Sequence, residues 1–160
     1  MIDAIVAVYS DWGIGENGTQ PVVVRADRRH FRSVTGSAAV IVGRKTLADF
    51  PGGRPLPGRT NIVLTHGGKA PEGALCAGSV EQALSLAAGF EQTFVIGGES
   101  VYRALLPHVG RVYVTKIESD PHSDAFFPNL DADEDWRVSD PGTELEENGL
   151  RYRFMVYERI

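Results

Sequence analysis

Only one cysteine, Cys76, stands in the 160 residues, so no intrachain disulfide can form and a reducing compartment suits the chain. With no thiol to pair with, Cys76 reads as a small buried apolar residue. No run of about 20 apolar residues occurs, so no membrane span is expected. No basic segment precedes an apolar stretch at the N-terminus, so no signal peptide is expected either. Positive charge is in deficit: 16 Lys and Arg against 21 Asp and Glu give a net charge of −5, which argues against a nucleic-acid partner. The four histidines, at 30, 66, 108 and 122, lack metal-ligand spacing. His122 and Asp124 read as surface loop residues, and no metal is expected. The spacing supports no Ser-His-Asp or Cys-His nucleophile. Repeats, low-complexity segments and linkers are missing too, so 1–160 reads as one domain, long enough to bury a substantial core.

What is present is an alternation of apolar runs, helical patterns and turn-rich loops, which points to an α/β protein. Residues 1–9, MIDAIVAVY, suit a central strand buried on both faces. Residues 10–20, SDWGIGENGTQ, hold three glycines and read as a mobile loop, placed to act as a lid over the segment that follows. Gly13, Gly15 and Gly18 match the spacing of a dinucleotide fingerprint. Pro21 and a valine triplet follow where that motif needs a helix, so the match is set aside. Further strands are expected at 38–42, 61–65, 93–96 and 111–117, with a short edge strand at 74–77. Helices are expected at 26–34, in a short stretch after Thr46 to Asp49, from a Ser79 cap to about Ala88, and at 99–106 before Pro107. Residues 136–139 and 150–158 alternate apolar and polar. They predict an antiparallel hairpin at one sheet edge, with 140–149 as its connection.

The chemistry concentrates in 19–31, TQPVVVRADRRHF. Asp27 is its one carboxylate, and Phe31 lies a helical turn further on, so the two share a face. A carboxylate on an apolar face costs free energy unless a polar group meets it, which marks Asp27 as a candidate functional acid. The alternative is a capping aspartate or an ion pair with Arg28 or Arg32. Two strand ends look built for anions. Gly43-Arg44-Lys45-Thr46 offers a helix start, two cations and a hydroxyl; a solvated basic turn is the alternative. Ile96-Gly97-Gly98-Glu99-Ser100 joins a strand to a helix through two glycines that let a ligand approach the backbone, at the strand carboxyl ends where such sheets bind ligands. A tight turn that needs glycine is the alternative there.

Seven pieces in a fixed order carry a resemblance. They are Ala7-Val8 with the Gly13-Ile14-Gly15 loop, Ala26-Asp27 with Phe31, Gly43-Arg44-Lys45-Thr46, Arg54-Pro55-Leu56-Pro57-Gly58-Arg59 before the NIVLT strand, Ile96-Gly97-Gly98, Val101-Tyr102, and Tyr113-Val114-Thr115-Lys116-Ile117. Through them the chain resembles the dihydrofolate reductase family over essentially its whole length. The resemblance implies an eight-stranded, mostly parallel central sheet with an antiparallel C-terminal hairpin and four flanking helices. It also implies NADPH-dependent reduction of 7,8-dihydrofolate to 5,6,7,8-tetrahydrofolate, a supply for one-carbon metabolism.

By the same resemblance Asp27 is the catalytic carboxylate that bonds the pterin's amino and ring N–H groups, and Thr115 is its hydrogen-bonding neighbour. Phe31 contacts the pterin and benzoyl rings; Ile5, Ala7, Phe50 and Leu56 complete the wall. Arg59 pairs with the α-carboxylate of the substrate's glutamate. Apart from the resemblance, the helical step from Asp27 places Arg28 at the pocket rim within reach of that tail, with a solvated arginine on the exposed helix face as the alternative. Arg44, Lys45 and Thr46, with Gly43 before them, match the cofactor phosphate clamp, and Leu64, Thr65 and His66 lie toward the 2′-phosphate. Gly97 and Gly98, joined in the family by a usually cis peptide, extend the cofactor site with Glu99, Ser100, Val101 and Tyr102. Ile14 and Ile96 flank the nicotinamide beside Ala7 and Gly15, and Asp124 braces the lid.

NADPH and dihydrofolate are the small molecules implied; nucleic acid and membrane are not, and a cytoplasmic monomer is. Three positions depart from the family pattern. Pro21-Val22 stands where Pro-Trp is common, so the indole N–H that holds a water near the carboxylate is missing. Val24-Arg25 replaces Leu-Pro, and Arg28 replaces an apolar residue. Two other readings stay open: an NADPH-binding sensor or carrier, and a reductase of the same fold acting on another pterin-like or pyrimidine substrate.

Overall fold

The computed structural model describes residues 1–160. In chain order its strands are β1 (Ile2–Val8), β2 (Gly13–Gly15), β3 (Ala39–Gly43), β4 (Asn61–Leu64), β5 (Ala74–Ala77), β6 (Thr93–Gly97), β7 (Arg111–Ile117), β8 (Ala125–Phe126), β9 (Trp136–Asp140), β10 (Leu145–Glu147) and β11 (Leu150–Arg159). The helices are α1 (Arg25–Thr35), α2 (Arg44–Ala48), α3 (Val80–Ala87) and α4 (Glu99–Leu105).

The apolar run that opens the chain forms β1, which lies mid-sheet with a parallel neighbour on each side. The strand order is β10-β11-β7-β1-β6-β3-β4-β5, with β9 also paired to β11. Pairings from β7 through β5 are parallel, and those of β11 are antiparallel. Alternation across the pleat separates two cores. Ala4, Val6 and Val8 face one side with Ile41, Ile62 and Val95, covered by Ala83 and Ala87 of α3 and Val101, Tyr102 and Leu105 of α4. Ile5 faces the other side with Val40, Val42, Val63, Phe94 and Ile96, covered by Leu47 of α2 and by Phe31 and Val34 of α1. Each fully buried Val or Ile contributes roughly 1.5–3 kcal/mol. Cover on both faces is why these strands read as nearly continuous apolar runs. Ser79 caps α3 as its spacing predicts, accepting from the Gln82 N–H at 3.1 Å.

Three expectations need correction. The 140–149 connection is not all loop: β10 lies inside it and pairs with the first part of β11, while β9 pairs with the last part across a register shift at Val156. The hairpin itself lies at one edge of the sheet as expected, joined to it by β11, which runs along β7 for seven paired residues. The glycine-rich 10–20 segment is partly ordered into β2, which pairs with β8 in a small second sheet. Cys76 is exposed, not buried. Its strand β5 is the terminal strand of the sheet, and there Leu75 and Cys76 meet solvent while Ala77 alone is buried.

Candidate active site

Helix α1 begins without a capping side chain of its own, since Val24 precedes it in an extended conformation and offers no polar group. The Glu147 carboxylate takes that role from across the sheet. It accepts from the Arg25 N–H at 2.7 Å and the Ala26 N–H at 3.2 Å. Asn148 and Gly149, with φ of 51° and 82°, make the tight turn that presents it. Asp27 follows in the first turn of α1. Its Oδ1 accepts from the Thr115 hydroxyl at 2.6 Å, and Thr115 is only 1% exposed on β7. Burial pushes the Asp27 pKa above the usual carboxylate value, while the Thr115 hydroxyl and His30 draw it back. His30 stacks on Phe154 of β11, ring centroids 3.9 Å apart. Burial holds its pKa below the usual histidine value, and the Asp27 charge opposes that.

Beyond Asp27 lies an apolar wall. Ile5, Leu47 and Ile96 belong to one cluster, and Phe31, Phe50, Leu56 and Tyr113 pack against it. Ala7 packs instead against the small cluster of Tyr9, Val24, Ile117 and Tyr152, next to Val22 and Ala26. The Tyr9 hydroxyl holds the chain at Val22, donating to its carbonyl at 2.7 Å and accepting from its N–H at 3.1 Å. At the far end of the wall stands Arg59. Its Nε donates to Thr35 Oγ1 at 3.0 Å and its Nη1 to the Pro57 carbonyl at 2.9 Å, and its guanidinium carbon lies 5.9 Å from the Phe31 ring centre. The Thr35 hydroxyl in turn donates to the Phe31 carbonyl. Burial lowers the Arg59 pKa, and Arg32 adds to the effect. Phe31 therefore separates a carboxylate from a fixed guanidinium. The arrangement suits an elongated ligand with donors at one end, rings in the middle and a carboxylate at the other. Arg28 is exposed and takes no hydrogen bond.

The glycine strand ends meet on the other side. Gly43 and Gly98 precede α2 and α4, neither helix has a side-chain cap, and the Gly97–Gly98 peptide is cis. A Cβ on Gly98 would lie 3.0 Å from Thr46 Oγ1, and one on Gly43 would lie 3.1 Å from Val101 Cγ2. One on Gly68 would come within 2.8 Å of Arg44 Nη1 and 2.9 Å of Thr65 Oγ1, so Arg44 and Thr65 flank that glycine. Leu64 is half-buried behind them; Lys45, His66 and Ser100 are exposed. Glu99 turns its charge away: Oε2 accepts from the Phe126 N–H at 2.6 Å and lies 3.9 Å from Arg103. Val101 and Tyr102 are buried, and the Tyr102 hydroxyl donates to the Ile5 carbonyl at 2.7 Å. Burial raises the Tyr102 pKa, and the Asp27 charge raises it further. Free helix-start N–H groups, two cations and two hydroxyls form a donor set that fits the phosphates of an anionic dinucleotide such as NADPH.

The small sheet tethers the 10–20 segment beside both ends. Gly13 pairs with Phe126 and Gly15 with Ala125, the Asp124 N–H donates to the Gly15 carbonyl, and the Asn17 N–H donates to Asp124 Oδ2. A side chain at Gly13 would collide with Ser123. Ile14, half-buried in β2, packs against the larger core cluster.

Four residues of the site escaped the sequence reading. Thr35 was detectable as the hydroxyl one turn after Phe31, and His30 as the residue three past Asp27. Gly68 carried only the weak signal of a glycine pair. Glu147 was marked by Asn148-Gly149, a strong two-residue hairpin signature.

A family model described as dihydrofolate reductase matches residues 1–159. The dihydrofolate reductase of Bacillus subtilis is 35% identical over 162 residues, which cover 99% of this chain and 95% of that one. That of Staphylococcus haemolyticus is 38% identical over 162 residues, covering 99% and 96%, and that of Rattus norvegicus 36% over 181 residues, covering 99% and 97%. A carboxylate and a guanidinium at opposite ends of one apolar wall, a glycine-lined anion cradle beside it, and a match along almost the entire sequence lead to one conclusion: the chain belongs to the dihydrofolate reductase family.

Proposed function

We propose that the wall between Asp27 and Arg59 holds the folate, and that the Gly43 and Gly97-Gly98 strand ends hold the cofactor. The reaction is the NADPH-dependent reduction of 7,8-dihydrofolate to 5,6,7,8-tetrahydrofolate. NADPH, when bound, supplies the hydride. Asp27 accepts from the pterin's amino and ring N–H groups, and Thr115 keeps the carboxylate in place. The negative charge then favours protonation of the neighbouring ring nitrogen by a water. Ile5, Phe31, Leu56 and Ile96 exclude other water and align the rings. Arg59 receives the glutamate α-carboxylate. Its guanidinium is already held by Thr35 and Pro57, so little ordering cost remains to be met on binding. Arg44 with Thr65 and His66 reads the 2′-phosphate, while Lys45, Thr46 and the N–H groups at 98–100 take the pyrophosphate. Arg28 stands at the rim on the tail side.

We also infer a single catalytic domain over 1–160 that acts as a monomer in the cytoplasm. In support, its exposed large apolar residues are dispersed along the chain, with Leu75, Val138 and Leu145 on three different strands and Met1, Val23 and Ile160 outside any helix or strand, and its one thiol is exposed and unpaired.

The observation that carries the reading is the Thr115-bound carboxylate facing, across Phe31, a Thr35-bound guanidinium. The test is Arg59→Leu, measured with dihydrofolate and with a tail-less dihydropterin. The KM for dihydrofolate rises about ten- to a hundredfold, the loss of one charge-assisted bond. The tail-less substrate responds by less than about twofold, because it never meets Arg59. An equal response from both substrates contradicts the assignment.

A further inference from the structure

Asp27 is the third residue of α1, inside the first turn, where helix N–H groups lack partners and the chain frays most readily. The cap position before it is held by Val24, 3% exposed and clustered with Tyr9, Ile117 and Tyr152. That position serves the core, so no side chain of the helix's own meets the free N–H groups. The Glu147 carboxylate meets them with both oxygens. Oε2 accepts from the Arg25 N–H at 2.7 Å and Oε1 from the Ala26 N–H at 3.2 Å, on the two residues directly before Asp27.

The clamp belongs to the same body as the other contacts on this stretch. Glu147 ends β10, and Asn148-Gly149 turns the chain into β11, where Leu150 pairs with Glu147. Further along, Phe154 of β11 lies opposite Thr115 of β7. Thr115 donates to Asp27 Oδ1 at 2.6 Å. Phe154 stacks on His30, three residues after Asp27, with ring centroids 3.9 Å apart. The β10–β11 hairpin therefore meets α1 just before Asp27 and just after it, and it pairs with the strand that holds the Asp27 side chain. A local capping residue would stop the first turn from fraying but would tie it to nothing outside the helix. A cap drawn from the hairpin also fixes where the helix starts relative to Thr115, and reacting groups need that kind of registration.

We infer that Glu147 is a positioning residue for Asp27: its carboxylate clamps the first turn of α1 to the β10–β11 hairpin and so sets where the Asp27 carboxylate stands against the substrate ring. The inference rests on the reading of Asp27 as the group that binds the pterin. Without the clamp the first turn opens part of the time, and only the closed fraction presents Asp27 correctly.

The test compares Glu147→Ala and Glu147→Gln with Ser79→Ala, at a temperature where every variant is folded. Ser79→Ala removes the cap of α3, a similar loss of stability on the opposite face of the sheet. Glu147→Ala lowers kcat/KM for dihydrofolate by about three- to tenfold and changes the NADPH dissociation constant by less than about twofold. Glu147→Gln keeps an acceptor and recovers much of the loss, and Ser79→Ala stays within about twofold of the wild type. Wild-type kcat/KM in Glu147→Ala, or an equal loss in Ser79→Ala, overturns the inference. Added to Asp27→Asn, Glu147→Ala costs less than about twofold more, because it acts through the carboxylate; fully additive losses overturn the inference too. Asp27→Asn alone separates the two claims. If it turns over like the wild type, the reading of Asp27 fails and the inference fails with it; if it is impaired while Glu147→Ala is not, the inference alone fails.

Discussion

Replacing Asp27 with asparagine separates two consequences of one charge. The amide keeps the shape of the carboxylate, and its oxygen can still accept from Thr115, now at 2.6 Å. What disappears is the charge and one acceptor, and with them, in the proposed role, at least one charge-assisted hydrogen bond to the pterin N–H groups. Such a bond is worth roughly 1.5–3 kcal/mol, so kcat/KM at pH 7 falls about ten- to a hundredfold. Stability moves the other way. Burial raises the Asp27 pKa, so between the unfolded and folded values the folded chain binds more protons, and stability declines as pH rises through the folded value. At pH 7 the wild type bears the full cost of the buried charge and the amide does not. The variant therefore melts at a higher temperature at pH 7, and its advantage shrinks as the pH falls toward the unfolded value of 3.8. Dihydrofolate-dependent NADPH oxidation and thermal melts over that pH range measure both. Wild-type turnover in the variant at pH 7 refutes the catalytic assignment. A lower melting temperature at pH 7 refutes the burial argument.

The proposed role of Arg44, whose guanidinium lies beside Thr65 and Gly68, predicts that Arg44→Ala weakens NADPH by about 1.5–3 kcal/mol and leaves NADH almost unchanged; equal losses in a fluorescence titration of the two cofactors contradict that placement. His30→Phe preserves the stack on Phe154 but removes the cation that favours Asp27 ionisation, so the acid-side pKa of the kcat/KM profile moves upward. The depressed His30 pKa means that stability is lost as pH falls from 6.5 through the folded value, and the same variant lacks that loss; matching pH–stability curves count against it. Glu147→Ala removes the side chain that caps α1 and costs about 0.5–2 kcal/mol in denaturant melts, with much of it recovered in Glu147→Gln; an unchanged midpoint in the alanine variant shows that the cap contributes nothing.

The strands were legible because both faces of the sheet are covered, which makes runs such as 1–9 and 38–42 almost wholly apolar, Asp3 being the one charged residue among them. The pairing of Asp27 with Phe31 followed from the helical repeat, and the glycine strand ends from the backbone freedom they need. Contacts that close over long separations were not legible. The Glu147 cap joins residues 121 and 122 positions apart, and nothing within α1 announces that it lacks a cap of its own. The sequence marks Arg59 as a ligand for the tail, but its Thr35 anchor joins residues 24 positions apart and has no local signal. The 140–149 segment reads as a connection, and LEE within it shows no apolar alternation, although Asn148-Gly149 marks a hairpin. The usual burial of thiols misleads at Cys76, because nothing in the sequence marks this face of the terminal strand as facing water.

The central claim is that this chain turns over folate and does not merely bind the cofactor. Its most direct test is an anaerobic single-turnover experiment with purified protein, NADPH and 7,8-dihydrofolate, following cofactor absorbance and quantifying tetrahydrofolate by chromatography. The account predicts one tetrahydrofolate formed per NADPH consumed, with both abolished when dihydrofolate is omitted. NADPH that binds but is not consumed, or is consumed without tetrahydrofolate appearing, contradicts it.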